Sequence, residues 1–178
     1  MRISVILLSI LLANGAHAAP TSQTDDLDKL LADKGLLTQM GQVRQNVSNR
    51  ASELVVNAMG FLGVPYKRGG NTVETGFDCS GFVRAMYEQS IGLILPRRAE
   101  QQAAATQNID RTDLQPGDLV FFNTMRRAFS HVGIYVGEGK FIHSPRAGGE
   151  VRIEDMRQSY WAQRFNGARR APLKRVCQ

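Results

Sequence analysis

With 178 residues, 43% hydrophobic and 21% charged, the chain has the composition of an ordinary globular protein of one domain, and its two cysteines are too few for a disulfide-stapled scaffold. Lys and Arg number 22 against 16 Asp and Glu, a net charge of +6 that favours a polyanionic setting. That excess is spread along the chain, and its clusters at Arg126-Arg127 and Arg169 to Arg175 lack interleaved aromatics or a reader motif, so they read as a solvated basic face and nucleic-acid binding is not expected.

At the N-terminus Arg2 precedes the apolar run Ile3 to Leu12, and Ala16-His17-Ala18 supplies a small-residue cleavage pattern. Residues 1–18 therefore read as a secretory signal peptide. The run is too short for a spanning helix, and no later stretch is long and apolar enough, so an exported chain without a membrane span is expected, periplasmic or secreted. Residues 19–50 read as a helical lead-in, with Thr24 capping a short helix over Asp25 to Lys34 that Gly35 ends.

From Ala51 the pattern sharpens. Ala51, Leu54, Val55, Ala58, Met59 and Leu62 form the stripe of an amphipathic helix, with Ser48 as its cap and Gly63-Val64-Pro65 as its end. A second helix is predicted over Cys79 to Gln89, because Asp78 is a good N-cap, Phe82, Val83, Met86 and Tyr87 share a face, and Gly92 lies just past the end. Three strands follow Pro116-Gly117: Asp118 to Phe122, His131 to Val136 and Lys140 to Ser144. Helices first and antiparallel strands afterwards indicate an α+β domain over residues 51–178.

Chemistry gathers around Cys79. A cysteine in the first turn of a helix meets the positive end of the dipole, which favours the thiolate. A buried structural thiol is the alternative, and the polar neighbours Asp78 and Ser80 count against it. A thiolate nucleophile needs a base, best a histidine, and a third polar group to orient it. Beyond His17 the chain offers only His131 and His143, both on one predicted hairpin. Their spacing from Cys79 lacks the close pairs of zinc sites, so neither metal nor cofactor is expected. Cys177 reads as a free or intermolecularly paired tail thiol rather than a disulfide partner that blocks Cys79.

Six blocks in order resemble the NlpC/p60 family of papain-like cell-wall cysteine peptidases: Leu62 to Gly70, Phe77 to Val83, Leu95-Pro96-Arg97, Pro116 to Phe122, His131 to Gly137 and Phe141-Ile142-His143. The resemblance runs from about Ala51 to Pro172 and is closest to the small murein endopeptidases of Gram-negative envelopes. It implies a papain-like fold in which the nucleophile helix packs on a small antiparallel sheet. It also implies Cys79 as nucleophile, His131 as general base, His143 as the residue orienting that base, Tyr66 at the oxyanion or substrate, and Asp78 and Ser80 in support. The implied activity is metal-free hydrolysis of peptidoglycan stem or cross-link peptides by a monomer. An amidase or acyltransferase on the same scaffold, and a wall-binding module without activity, are the alternatives.

The triad carries a condition on register. His143 can orient His131 only from the same face of the hairpin, which requires a three-residue loop at Gly137-Glu138-Gly139 or an equivalent bulge, placing His143 opposite Gly133. A plain two-residue turn would slip the register and aim His143 into the core.

Overall fold

In the computed structural model, residues 35–172 are described; the signal peptide, the helix expected over Asp25 to Lys34, and Cys177 lie outside them. The first described helix, α1, spans Leu36–Met59. The expected cap Ser48 lies inside this helix, its carbonyl accepting from the Ser52 hydroxyl at 3.0 Å. Continuous hydrogen-bonding potential carries the helix through a polar stretch that no apolar stripe marks. Leu54, Val55 and Ala58 are buried as the stripe predicts, whereas Met59, the last helical residue, and Leu62 are exposed, Leu62 because the helix has given way to a tight turn at Gly60 and the helical period no longer applies.

From Val43 onward the chain gathers into one compact unit. Its second helix, α2, runs Cys79–Ile91, with the Asp78 side chain accepting from the Gly81 N–H at the start and Gly92 in the left-handed conformation at the end. Phe82, Val83, Met86 and Tyr87 are buried on its inner face, and α2 packs against a short hairpin, β1 (Asn71–Thr72) and β2 (Gly76–Phe77), and against the main sheet. A short helix, α3, covers Ala99–Ala104.

The main sheet has six strands: β3 (Gln107–Ile109), β4 (Leu119–Phe122), β5 (His131–Gly137), β6 (Lys140–His143), β7 (Arg152–Asp155) and β8 (Phe165–Arg170). They lie in the order β3-β8-β4-β5-β6-β7, every pairing antiparallel. The three predicted strands form its centre. The flanking strands β7 and β8 escape the sequence pattern, since Arg-Ile-Glu-Asp and Phe-Asn-Gly-Ala-Arg-Arg carry few β-branched residues.

All four residues of β4 are buried, and alternation sends them into two cores. Leu119 and Phe121 join Val132, Ile134, Ile142 and the α2 side chains on one face. Val120 and Phe122 join Phe141, Met156 and Trp161 on the other. The second core comes from the chain after β7, which returns across the sheet through a one-turn helix, α4 (Ser159–Ala162). The face that carries His131 is thus covered rather than open.

The hairpin β5–β6 meets the register condition by the bulge. Ile134 pairs with Ile142 and Tyr135 with Phe141, and the register then shifts so that Gly137 pairs with Lys140. The turn itself has two residues, Glu138 and Gly139, at φ of 53° and 74°. Such a turn alone would misplace His143 by one residue, and the extra residue in the bulge restores the offset.

Candidate active site

Cys79, Tyr66 and His131 line one cleft of ≈ 570 Å³, together with Met125, Arg146, Arg152, Glu154 and Trp161. Three elements bring them there. Cys79 opens α2 and is half-buried. His131 is the first residue of β5, paired with Phe122 of β4. Tyr66 sits on the strand-like segment before β1, its N–H donating to the Gly149 carbonyl at 2.8 Å and its backbone bridging Phe77.

His143, the last residue of β6, lies behind His131 and is fully buried. Its Nδ1 stands 2.7 Å from Nε2 of His131, with the two rings near-perpendicular at 86°. That bond leaves Nδ1 of His131 as the ring nitrogen available to the cleft. Gly133 creates the room: a Cβ there would come within 2.6 Å of Phe141 and 3.2 Å of the His143 Cβ. Both rings share the face of the sheet that Trp161 covers, and the indole stacks on His131 at 27° with centroids 5.6 Å apart.

Asp78 has more partners than a cap requires. Besides the Gly81 N–H at 2.8 Å, it accepts from the Gly69 N–H at 3.0 Å and from both terminal nitrogens of Arg97, at 2.9 and 2.6 Å. Ser80 donates to the same carboxylate at 3.3 Å and accepts from Arg97 at 3.0 Å. Asp78 and Ser80 therefore face Arg97, and this fork of charge-assisted bonds ties the start of α2 to the loop before α3. Contact behind it is main chain on main chain: Asp78 N–H donates to the Gly70 carbonyl at 3.1 Å, and a Cβ at Gly81 would lie 2.1 Å from that same oxygen.

Burial decides the protonation states. The Cys79 thiol is pushed up to about 11, first by desolvation and then by the Asp78 carboxylate, while backbone groups of Val132, Ser80 and Cys79 itself pull the other way. Desolvation thus opposes the helix terminus at this thiol, contrary to the expectation from capping alone. His131 is driven well below its ordinary value by burial and then by His143, with Glu154 opposing. His143 is lowered by burial as well, against Glu154. Near neutral pH the thiol and both imidazoles are uncharged. Burial, then Cys79 at the alkaline pH where it ionises, then the Asp78 carboxylate, raise Tyr66, so its phenol keeps its proton and is a hydrogen-bond donor into the cleft.

Of the residues singled out from the sequence, Cys79, Tyr66 and His131 meet at this cleft and His143 lies behind His131, whereas Asp78 and Ser80 face Arg97 at the start of α2. Three residues were missed. Arg97 lies inside the Leu95-Pro96-Arg97 block, and a half-buried cap carboxylate in need of a cation is its available signal. Trp161, the single tryptophan, and Glu154 sit on the unrecognised return of the chain. Among the described residues no group of three or more His, Cys, Asp and Glu side chains is arranged to hold a metal ion.

Residues 63–170 match the model of the NlpC/P60 family. The chain is similar to murein DD-endopeptidase MepH of Escherichia coli, 42% identical over 125 residues covering 68% of this chain and 46% of the relative. It is likewise similar to the gamma-DL-glutamyl hydrolase of Bacillus subtilis, 42% identical over 118 residues covering 66% of this chain and 28% of the other. The crystal structure of an NlpC/P60 family protein from Bacillus cereus superposes with a TM-score of 0.64 at 37% identity, covering 70% of this chain and 40% of that one. The chain thus spans less than half the length of each of these three proteins. The architecture is the papain-like α+β fold expected from the sequence.

Proposed function

Because the chain belongs to the NlpC/P60 family, we propose that it is an exported peptidoglycan endopeptidase that cleaves stem or cross-link peptides through a Cys79 thioester. The observation that carries this reading is the meeting of Cys79, Tyr66 and His131 in one cleft, with His143 bonded to the far side of His131 at 2.7 Å. The signal peptide read at residues 1–18 supports export, periplasmic or secreted, and no helix among the described residues is long and apolar enough to cross a membrane.

The mechanism starts from neutral partners. As Cys79 Sγ attacks the substrate carbonyl, its proton passes to Nδ1 of His131, so the thiolate exists only as the new C–S bond forms. The tetrahedral oxyanion is met by the Cys79 N–H at the helix start and by the Tyr66 hydroxyl. His131 then gives its proton to the leaving amine, and a water activated by the same ring hydrolyses the thioester. Asp78 and Ser80 hold the first turn of α2 in place through Arg97. No metal enters any step, and a monomer suffices.

Digestion of purified murein with product analysis tests the reading. Wild type should convert it to defined shorter peptides. Conversion of cross-linked dimers to monomers would identify the cross-link as the bond cut; trimming of monomer stems between γ-D-glutamate and the diamino acid would identify the stem bond. Iodoacetamide or Cys79→Ala should abolish turnover while a chelator leaves it intact. An inert wild type, or loss with chelator that zinc restores, would overturn the proposal; products of amide or acyl-transfer chemistry instead would reassign the reaction.

A further inference from the structure

Behind the two histidines one polar atom is left without a hydrogen bond. Nε2 of His143 is buried and unpartnered, and Oε1 of Glu154 stands 3.8 Å away, beyond hydrogen-bond length but close enough to act electrostatically. The other carboxylate oxygen, Oε2, accepts from the Trp161 indole N–H, and that indole is the one stacked on His131. Glu154 therefore faces one ring of the pair and anchors the cover of the other.

Proton bookkeeping gives this arrangement a meaning. A base that takes a proton at Nδ1 must carry its own hydrogen on Nε2, so the 2.7 Å bond runs from His131 Nε2–H to an unprotonated Nδ1 of His143. His143 then carries its hydrogen on Nε2, the buried atom aimed at Glu154. Had His143 the other tautomer, its Nδ1–H would confront the Nε2–H of His131, and His131 would have to move its hydrogen to Nδ1 and cease to be a base.

We infer that Glu154 is a positioning residue, whose carboxylate fixes the Nε2–H tautomer of His143 and through it the base-competent tautomer of His131. The inference rests on the reading of His131 as general base. The charged groups around Glu154 are consistent with an ionised carboxylate: Arg152 on the same strand donates to Oε1, and Lys140 of β6 lines the shallow depression on its outer side beside Asp155. The carboxyl is held well below its ordinary value, first by His143, against its own partial burial, with Trp161 and Arg152 adding.

Glu154→Gln tests it with little change of shape. The amide oxygen can keep the Trp161 bond, which turns the amide N–H₂ toward His143 and rewards the wrong tautomer. A wrongly protonated base costs about 10⁴ in turnover when its partner is mutated directly; one ring further back we expect kcat on muropeptides to fall at least about 100-fold with KM unchanged. The decisive readout is 15N NMR of histidine-labelled protein held between pH 7 and 8. Wild type should show His143 protonated at Nε2 and bare at Nδ1, and His131 the same; Glu154→Gln should move both hydrogens to Nδ1. A circular-dichroism spectrum matching wild type shows that the variant is folded.

Wild-type spectra with His143 protonated at Nδ1, or variant spectra and kcat unchanged from wild type, would overturn the assignment. Should wild type fail to cleave murein yet show the expected tautomers and their inversion, the substrate reading fails and the role of Glu154 stands.

Discussion

Replacing Gly133 by alanine puts the geometry of the histidine pair to a direct test. Gly133 needs no special backbone conformation, so the perturbation is one methyl group and nothing else. That methyl would stand 2.6 Å from Cδ2 of Phe141, 2.9 Å from the Ile142 carbonyl oxygen and 3.2 Å from Cβ of His143. Comfortable carbon contacts begin at about 3.5 Å, so Phe141 must give by roughly 0.9 Å. Phe141 has little freedom to do so, because Phe122 and Trp161 press on it with centroids 4.8 and 5.0 Å away and His143 lies at 4.7 Å. Overpacking of this kind costs about 1–3 kcal/mol, and the stiffer unfolded chain returns about 0.4–1 kcal/mol. The net loss should lie between about 0 and 2.6 kcal/mol, centred at about 1.3 kcal/mol, read as a lower urea midpoint at unchanged slope. Activity should suffer more than stability, since a shift of His143 by a fraction of an ångström lengthens a 2.7 Å bond on which the orientation of His131 depends. Under conditions where the variant is fully folded, turnover of purified muropeptides should drop about 10- to 100-fold. An alanine variant within about 0.5 kcal/mol of wild type and with an undiminished rate would show that the room left by Gly133 has no bearing on the pair.

Two further outcomes follow from the protonation states and from the clamp on α2. With the thiol pushed up to about 11 and His131 lowered, both groups are neutral between pH 7 and 8, so alkylation of Cys79 by iodoacetamide should be slow there and rise about tenfold per pH unit toward that value; a rate already on a plateau from pH 5 to pH 8 would demonstrate a standing thiolate–imidazolium pair. Asp78→Ala removes the cap on Gly81, the bond from Gly69 and both bonds from Arg97, whose side chain is 32% exposed, and should cost about 2–3 kcal/mol by thermal or urea unfolding. Asp78→Asn, which keeps an acceptor and loses the charge, should fall between, and an Asp78→Ala protein as stable as wild type would remove the clamp from the account.

What could be read in advance was local. Helix α2 announced itself through Asp78 before it and Gly92 after it, because capping chemistry depends on neighbours in sequence. The central hairpin was legible down to its need for an odd residue, since alternation and the requirement that His131 and His143 share a face leave few registers. The pieces that escaped depend on distant partners. Strands β7 and β8 owe their existence to edges offered by β6 and β4, which no propensity within Arg152–Asp155 or Phe165–Arg170 reveals. The direction of the Cys79 shift was misread for the same reason: the helix terminus is a local property, whereas the desolvation that outweighs it is assembled by the whole fold. Glu154 and Trp161 arrive at the histidines on that same unrecognised return.

The contact of Gly81 on the Gly70 carbonyl bears on how such a scaffold can diversify. Where a reactive group is seated by interlocking side chains, each drift in the surrounding sequence nudges it, and new specificities come at the expense of rate. Here the turn that presents Cys79 rests in part on peptide groups common to any sequence, where Gly81 meets the Gly70 carbonyl, and beyond those two glycines only the Asp78–Arg97 clamp is exposed to such drift. The walls of the cleft, Met125, Arg146 and Tyr160 among them, are free to be rewritten while the sulfur stays where it is, so selection on substrate choice and selection on chemistry act on separate sets of positions.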